Sequence, residues 1–256
     1  MIIDAHLHLD ETIDGTAQGA AKELNTQLTN AGISRAIVLH LESQPWSAEE
    51  VAKAIAPYKS LRGFINVHPF NKDAKDKLKA GIDELNYIGL KLHPRLQEFK
   101  IDHEKTLELV RFAGELNIPV LFDAFPDGTH IMQGFSPVKY AELAKLSPET
   151  RIIWAHMGGH HVLDFMMLAK RLPNVYMDCS YSLLYYRNSS IVKDMVYAMR
   201  SMKFDRIFYG SDYPDRSIIE TKNSSITIFK ELGLNEDELT KIMSTNAINF
   251  FKWTDL

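Results

Sequence analysis

The sequence predicts an α/β fold, a single-domain (β/α)8 or TIM barrel over residues 1–256, and three observations carry that expectation. Eight short runs rich in β-branched and aromatic residues recur along the chain, with segments of helical period between them. The runs are near-continuously apolar, as strands are when both faces of a parallel sheet are covered. The chain is 256 residues long, close to the roughly 250 that eight strand–helix units require. An open, doubly wound sheet is the alternative, but it usually needs fewer strands and no closure. No linker, low-complexity tract or charge block divides the chain.

In chain order, the strands are expected at residues 2–9, 35–40, 61–67, 87–93, 118–124, 151–156, 174–179 and 206–210. Gly32-Ile-Ser-Arg35, Asn117-Ile-Pro119 and Leu172-Pro-Asn174 announce the second, fifth and seventh with a loop ending in Gly, Pro or Arg. Among the helices, Ser47-Ala-Glu-Glu50 is a capping box that opens the run to Tyr58. Asp102 is placed to cap residues 103–116, where Leu107, Val110 and Leu116 recur near helical spacing. Ser136-Pro137 starts a helix through Leu146, with proline at the first helical position. Asn235 is the cap expected for a last helix over 236–251.

Hydrophobic content of 45% and charged content of 24% are ordinary for a soluble globular protein. A net charge of −4 opposes a nucleic-acid or anionic-membrane partner. The single cysteine, Cys179, excludes an intrachain disulfide and any CxxC zinc site, which suits a reducing cytosol. No basic-then-apolar leader precedes Ile2, and no apolar run reaches the roughly 18–20 residues that span a bilayer. The expected setting is the cytoplasm and the expected partner a small molecule; homo-oligomerisation is left open.

Active sites of such barrels lie at the C-terminal ends of the strands. There the first strand carries His6 and His8, which share parity and one face. The fourth ends Lys91-Leu-His93-Pro-Arg95, the fifth at Asp123, the sixth at His156 before Gly158-Gly159, the seventh at Asp178 and the eighth at Asp212. A lone strand-end histidine more often completes packing, and that reading covers His40 and His68. Lysine and aspartate inside apolar strands are costlier, because an unpaired charge there is strongly disfavoured. A divalent metal accounts for the set: neutral imidazoles and a carboxylate suit Zn²⁺, and an incomplete protein shell leaves room for water. The metal would bring the pKa of that water near neutrality, and a nearby carboxylate or imidazole would move its proton.

Four pieces together resemble the amidohydrolase superfamily, most closely its amidohydrolase-related branch of small barrels. They are Ile3-Asp-Ala-His-Leu-His8, Gly89-Leu-Lys-Leu-His-Pro94 with Gln97, His156-Met-Gly-Gly159, and Gly210-Ser-Asp-Tyr-Pro214. The resemblance spans the whole chain and implies a metal-dependent hydrolase, in which metal-bound water attacks a C–N or C–O bond of an amide, ester or lactone. It makes His6 and His8 metal ligands, Asp212 a ligand or the proton acceptor, and His156 a ligand or a group acting on substrate. Lys91 and His93 join Asp212 and His156 as catalytic candidates, with Lys91 read as an unmodified lysine facing the pocket. Arg95 and Asp123 are the candidates for holding a small anionic substrate.

One departure falls on the fifth strand, where the family commonly carries histidine and this chain reads Pro119-Val-Leu-Phe-Asp123. Asp123 as a ligand would make the site richer in oxygen, admitting Mn²⁺ or Fe²⁺ beside the Zn²⁺ expected first. Otherwise it marks a weak or vacant site, as in the branch's metal-independent lactonases. The alternatives are therefore a metal-dependent non-oxidative decarboxylase, a metal-independent lactonase, or a degenerate barrel that only binds a ligand. A deoxyribonuclease-like metal hydrolase is a more distant rival, since it would want a glutamate where this chain offers Lys91.

Overall fold

The computed structural model describes residues 1–253, so the last three positions of the expected domain lie outside the described residues. Its eight parallel strands are β1 (Ile3–Leu7), β2 (Arg35–Leu39), β3 (Leu61–Asn66), β4 (Gly89–Leu92), β5 (Val120–Phe122), β6 (Ile152–Trp154), β7 (Val175–Asp178) and β8 (Ile207–Phe208). Each pairs with the next in sequence. Beyond the short β8, three backbone bonds return to β1: Ala5 N–H to Tyr209 O at 2.9 Å, Asp212 N–H to His6 O at 2.8 Å, and His8 N–H to Tyr213 O at 2.7 Å. The result is the expected single-domain barrel, nearly closed, with an irregular seam between its last and first strands.

Helices fill the crossovers. They are α1 (Ala17–Ala31), α2 (Ala48–Ile55), α3 (Ala74–Asp83), α4 (Glu104–Glu115), α5 (Gly128–Met132), α6 (Pro137–Leu146), α7 (Val162–Ala169), α8 (Ser182–Tyr185), α9 (Ile191–Ser201), α10 (Ile218–Glu231), α11 (Glu236–Thr240) and α12 (Asn246–Phe251). The capping box at α2 forms, with Glu50 N–H on Ser47 Oγ at 3.2 Å and Ser47 N–H on Glu50 Oε2 at 2.7 Å. Asn235 and Glu238 build the same device at α11.

Two helix expectations need correction. The cap of α4 is His103, whose Nδ1 accepts from Lys105 N–H, while Asp102 instead pairs with Lys139 at 3.1 Å and ties the β4 loop to α6. The last helix is not continuous: a π-helical turn over Lys241–Thr245 separates α11 from α12. The Ile242 carbonyl there turns to accept Tyr209 N–H at 3.1 Å, and such a diverted bond is what a widened turn accommodates.

Two apolar layers hold the fold. Inside the barrel, Ile3, Ala5, Ile37, Leu39, Phe64, Leu121, Ile153 and Phe208 pack with Phe250, Phe251 and Trp253. Arg62 and Arg151, near the starts of their strands, donate to the carbonyls of Phe251 and Phe250, so the terminal aromatics plug the N-terminal mouth. A larger cluster lies between the sheet and the helices, with Val38, Leu90, Val120, Ile152 and Met177 facing Leu24, Val51, Leu109, Phe165 and Met195. The plugged mouth leaves the opposite end of the barrel for chemistry. Among the described residues no helix is long and apolar enough to cross a membrane.

Candidate active site

Local irregularities, more than strand alternation, aim the site's side chains. Ile3 and Ala5 belong to the lumen, yet Leu7 and Leu9 belong to the outer layer. The β1–β2 register shifts between Asp4 and Leu7; this bulge resets the parity, so His6 and His8 turn inward. On β4 the alternation is regular: Leu90 and Leu92 pack outward, leaving Lys91 and His93 for the pocket. After β6 the chain turns through His156 (φ 61°), Met157 (φ 50°), Gly158 (φ 72°) and Gly159 (φ 56°). Asp212 has φ 60° as well. Each left-handed residue with a Cβ costs roughly 1–2 kcal/mol, and strain of that kind gathers at functional sites.

The seam itself is built for close approach. A Cβ on Gly210 would lie 2.7 Å from the His6 Cβ and 3.0 Å from that of Ser180, so only glycine lets the strands meet here. Asp4 is fully buried beside it and accepts from Ser211 N–H at 3.0 Å and His6 N–H at 3.2 Å. Burial pushes the Asp4 carboxyl up to about 6 against those hydrogen bonds.

His6, His8 and Asp212 form a convergent donor set. Asp178 Oδ2 lies 3.0 Å from His6 Nδ1, and the Leu39 carbonyl 2.7 Å from His8 Nδ1. Both partners can only accept, which puts the proton on Nδ1 of each ring and leaves Nε2 with a lone pair. Those Nε2 atoms lie 3.2 Å and 3.9 Å from Asp212 Oδ1. Burial, with the neighbouring Lys91 ammonium, lowers His8 to about 3, so it is neutral. Burial raises the Asp212 carboxyl, but the imidazoles around it, the charged His156 among them, outweigh burial and hold it well below its ordinary value. Two neutral-type nitrogen donors and an ionised carboxylate make a fitting cradle for Zn²⁺.

Asp123 lies apart from that set. Its Oδ1 is 3.2 Å from His156 Nε2 and 3.6 Å from His93 Nε2. His156 Nδ1 lies 3.1 Å from the Ser180 carbonyl and 3.0 Å from Ser180 Oγ. Burial works against the charged imidazolium, but the Asp123 hydrogen bond and the charges of Asp212, Asp123 and Asp178 raise His156 to about 9. His93 is the opposite tautomer to His6 and His8. Its Nδ1 accepts from Leu96 N–H at 3.3 Å, so it turns an Nε2–H toward Asp123 and acts as a donor; burial holds it near 3 despite that carboxylate. Lys91 is 1% exposed, and burial lowers its amine against the pull of Asp123, Asp212 and Asp178.

The cavity over these groups has a volume of about 1010 Å³. Arg95 lies at its rim with Nε 3.0 Å from Asp127 Oδ2. Phe125 meets His156, Tyr181 and Tyr185 edge-on. The Arg216 guanidinium lies 5.2 Å over the Tyr181 ring. His40 and His68 are structural as expected, bonded to Trp46 O and to Gln97 O. His160 and His161 pair with Tyr186 and Asp164 away from the donor set, and Cys179 is a buried thiol whose pKa burial raises. Sequence reasoning gave no role to Asp178. Its signal was present, a carboxylate late in an apolar strand, but its contact with His6 is a long-range one.

A family model described as Amidohydrolase matches residues 3–253. No curated protein matches. Among solved structures, a probable 2-pyrone-4,6-dicarboxylic acid hydrolase of Acinetobacter baumannii, with citric acid bound, is 17% identical over 98% of this chain and 99% of its own, with a TM-score of 0.69. A Burkholderia multivorans amidohydrolase with bound zinc is 12% identical over 98% and 99%, with a TM-score of 0.71. A 2,6-dihydroxybenzoate decarboxylase from Rhizobium is 16% identical over 98% of each chain, with a TM-score of 0.66. At these identities the likeness is one of fold.

Proposed function

The chain belongs to the amidohydrolase family, and from that premise we propose a hydrolase that opens a C–N or C–O bond of a small anionic amide, ester or lactone. One observation carries the reading: His6 and His8 have their Nδ1 protons fixed and their Nε2 lone pairs converging on Asp212. His6, His8 and Asp212 would hold a divalent ion, Zn²⁺ first, which would supply Lewis acidity to water and to a substrate oxygen. Asp212, ionised at the base of the cavity, accepts the proton of the attacking water. His156, an imidazolium restrained by Asp123, gives a proton to the departing nitrogen or oxygen. Lys91, His93 and Arg95 present N–H donors to an anionic group.

Decarboxylation is the second reading, favoured by that same His156: an acid already charged at neutral pH could protonate the carbon that loses CO₂. Elemental analysis of the purified protein, with turnover assays on lactones, esters, amides and aromatic carboxylates, tests both. The expected result is one divalent ion per chain, lost with activity in the His6→Ala/His8→Ala protein while the barrel stays folded. Full hydrolytic turnover by that ion-free variant would sink the proposal, and release of CO₂ without hydrolysis would select the second reading.

A further inference from the structure

Tyr181 stands at φ 56° and ψ −62°, a positive-φ γ turn that Ser182 N–H closes on the Ser180 carbonyl at 2.5 Å. Such a turn is rare and strained for a residue with a Cβ. Glycine would take the same backbone without strain, so the tyrosine needs a reason in its side chain. The ring lines the cavity with His156 and Asp212. Its centroid is 6.0 Å from that of His156 at 71°, 4.9 Å from Phe125 at 86°, and 5.2 Å from Tyr185 in a near-parallel stack. Arg216, in the loop after β8, lies 5.2 Å over it, so neighbours on three loops fix the ring's position. The residue is only half-buried; what it borders is open cavity.

We infer that Tyr181 is a specificity-determining residue whose ring sets the width of the cavity beside His156. It admits carboxylates the size of one ring and turns away fused rings. The inference rests on the proposed function for the place of the site, though not for its metal. The backbone strain is then the structural cost of keeping a wall that a relaxed turn would not hold in place.

Three full-length variants test it, Tyr181→Phe, Tyr181→Ala and Tyr181→Gly, with benzoate and 2-naphthoate as calorimetric probes. The Ala and Gly proteins should shift the naphthoate-to-benzoate affinity ratio by about tenfold or more, while the Phe protein keeps the parental ratio. The Gly protein should melt about 2–4 °C above the Ala protein, against the greater freedom of its unfolded chain. An unchanged ratio in Ala and Gly, or no binding of either probe to any of the four proteins, overturns the inference. A Gly protein melting at or below the Ala protein overturns the strain on which it rests. Elemental analysis of the same samples keeps the two readings apart: a shifted ratio in proteins without metal defeats the metal reading alone, and bound metal with a fixed ratio defeats this one alone.

Discussion

Replacing Asp178 by asparagine asks whether the proton on His6 Nδ1 is what makes that imidazole a ligand. Asp178 Oδ2 takes this proton at 3.0 Å. Oδ1 accepts from His156 N–H and Ser180 N–H, each at 3.1 Å, and from the Ser180 hydroxyl. Donors crowd the Oδ1 side, so an asparagine must place its oxygen there and turn its NH₂ toward His6. A donor facing Nδ1 needs a lone pair on it, which moves the imidazole proton to Nε2, the atom facing Asp212. Zn²⁺ affinity should fall 10–100-fold, about 1–3 kcal/mol.

Stability should fall too. Burial alone would raise Asp178, but the His6 imidazole donating to it, with help from His156 and Ser180, holds it at about 2 against an ordinary 3.8. A depression of that size contributes about 2 kcal/mol of stability at neutral pH. Because the folded value is the lower one, the contribution is complete above about pH 4 and disappears as the pH falls through 2. The variant should melt roughly 4–8 °C below the parent at pH 7, and the gap should narrow between pH 4 and pH 2. Competition against a chromophoric zinc chelator reads the affinity, and melting curves across that pH range read the rest. A folded Asp178→Asn protein with parental zinc affinity would refute the tautomer argument.

Two further substitutions probe the pocket floor and the seam. Lys91→Met keeps the length of the side chain and removes a charge that burial already disfavours; the protein should melt within about 3 °C of the parent or above it while turnover of an anionic substrate falls at least a hundredfold, and a large loss of Tm would show that the three carboxylates need the ammonium. Gly210→Ala places a Cβ 2.7 Å from the His6 Cβ, so Tm should drop by about 2–12 °C and zinc affinity with it; parental values for both would mean that the seam yields without moving His6.

The barrel was legible because its signals are local. All eight strands lie where apolar runs announce them, and Ser47, Ser136 and Asn235 stand at the helix starts that their side chains suggested. Strand ends were harder. β6 and β8 are shorter than their apolar runs, and the chain beyond them passes through left-handed conformations at His156 and Asp212, which these residue types tolerate better than most but do not announce. The facing of His6 and His8 came out right, yet it depends on a bulge that strict alternation does not contain. Asp123 was visible as the unusual residue of its strand, but its pairing with His156 and His93 joins three separate strand ends. Tyr181 shows the same limit: a positive-φ turn in a stretch with neither glycine nor asparagine leaves no local trace.

The seam has a consequence for which part of the chain is expendable. In most domains the first few residues can be trimmed or decorated with little harm. Here the last strand is two residues long, and the hoop is fastened by Asp4, Ala5, His6 and His8 gripping the segment from Tyr209 to Tyr213. Clasp and workplace are the same few residues. A chain copied without its opening stretch would lose both at once, the ring springing open where its chemistry was to be done.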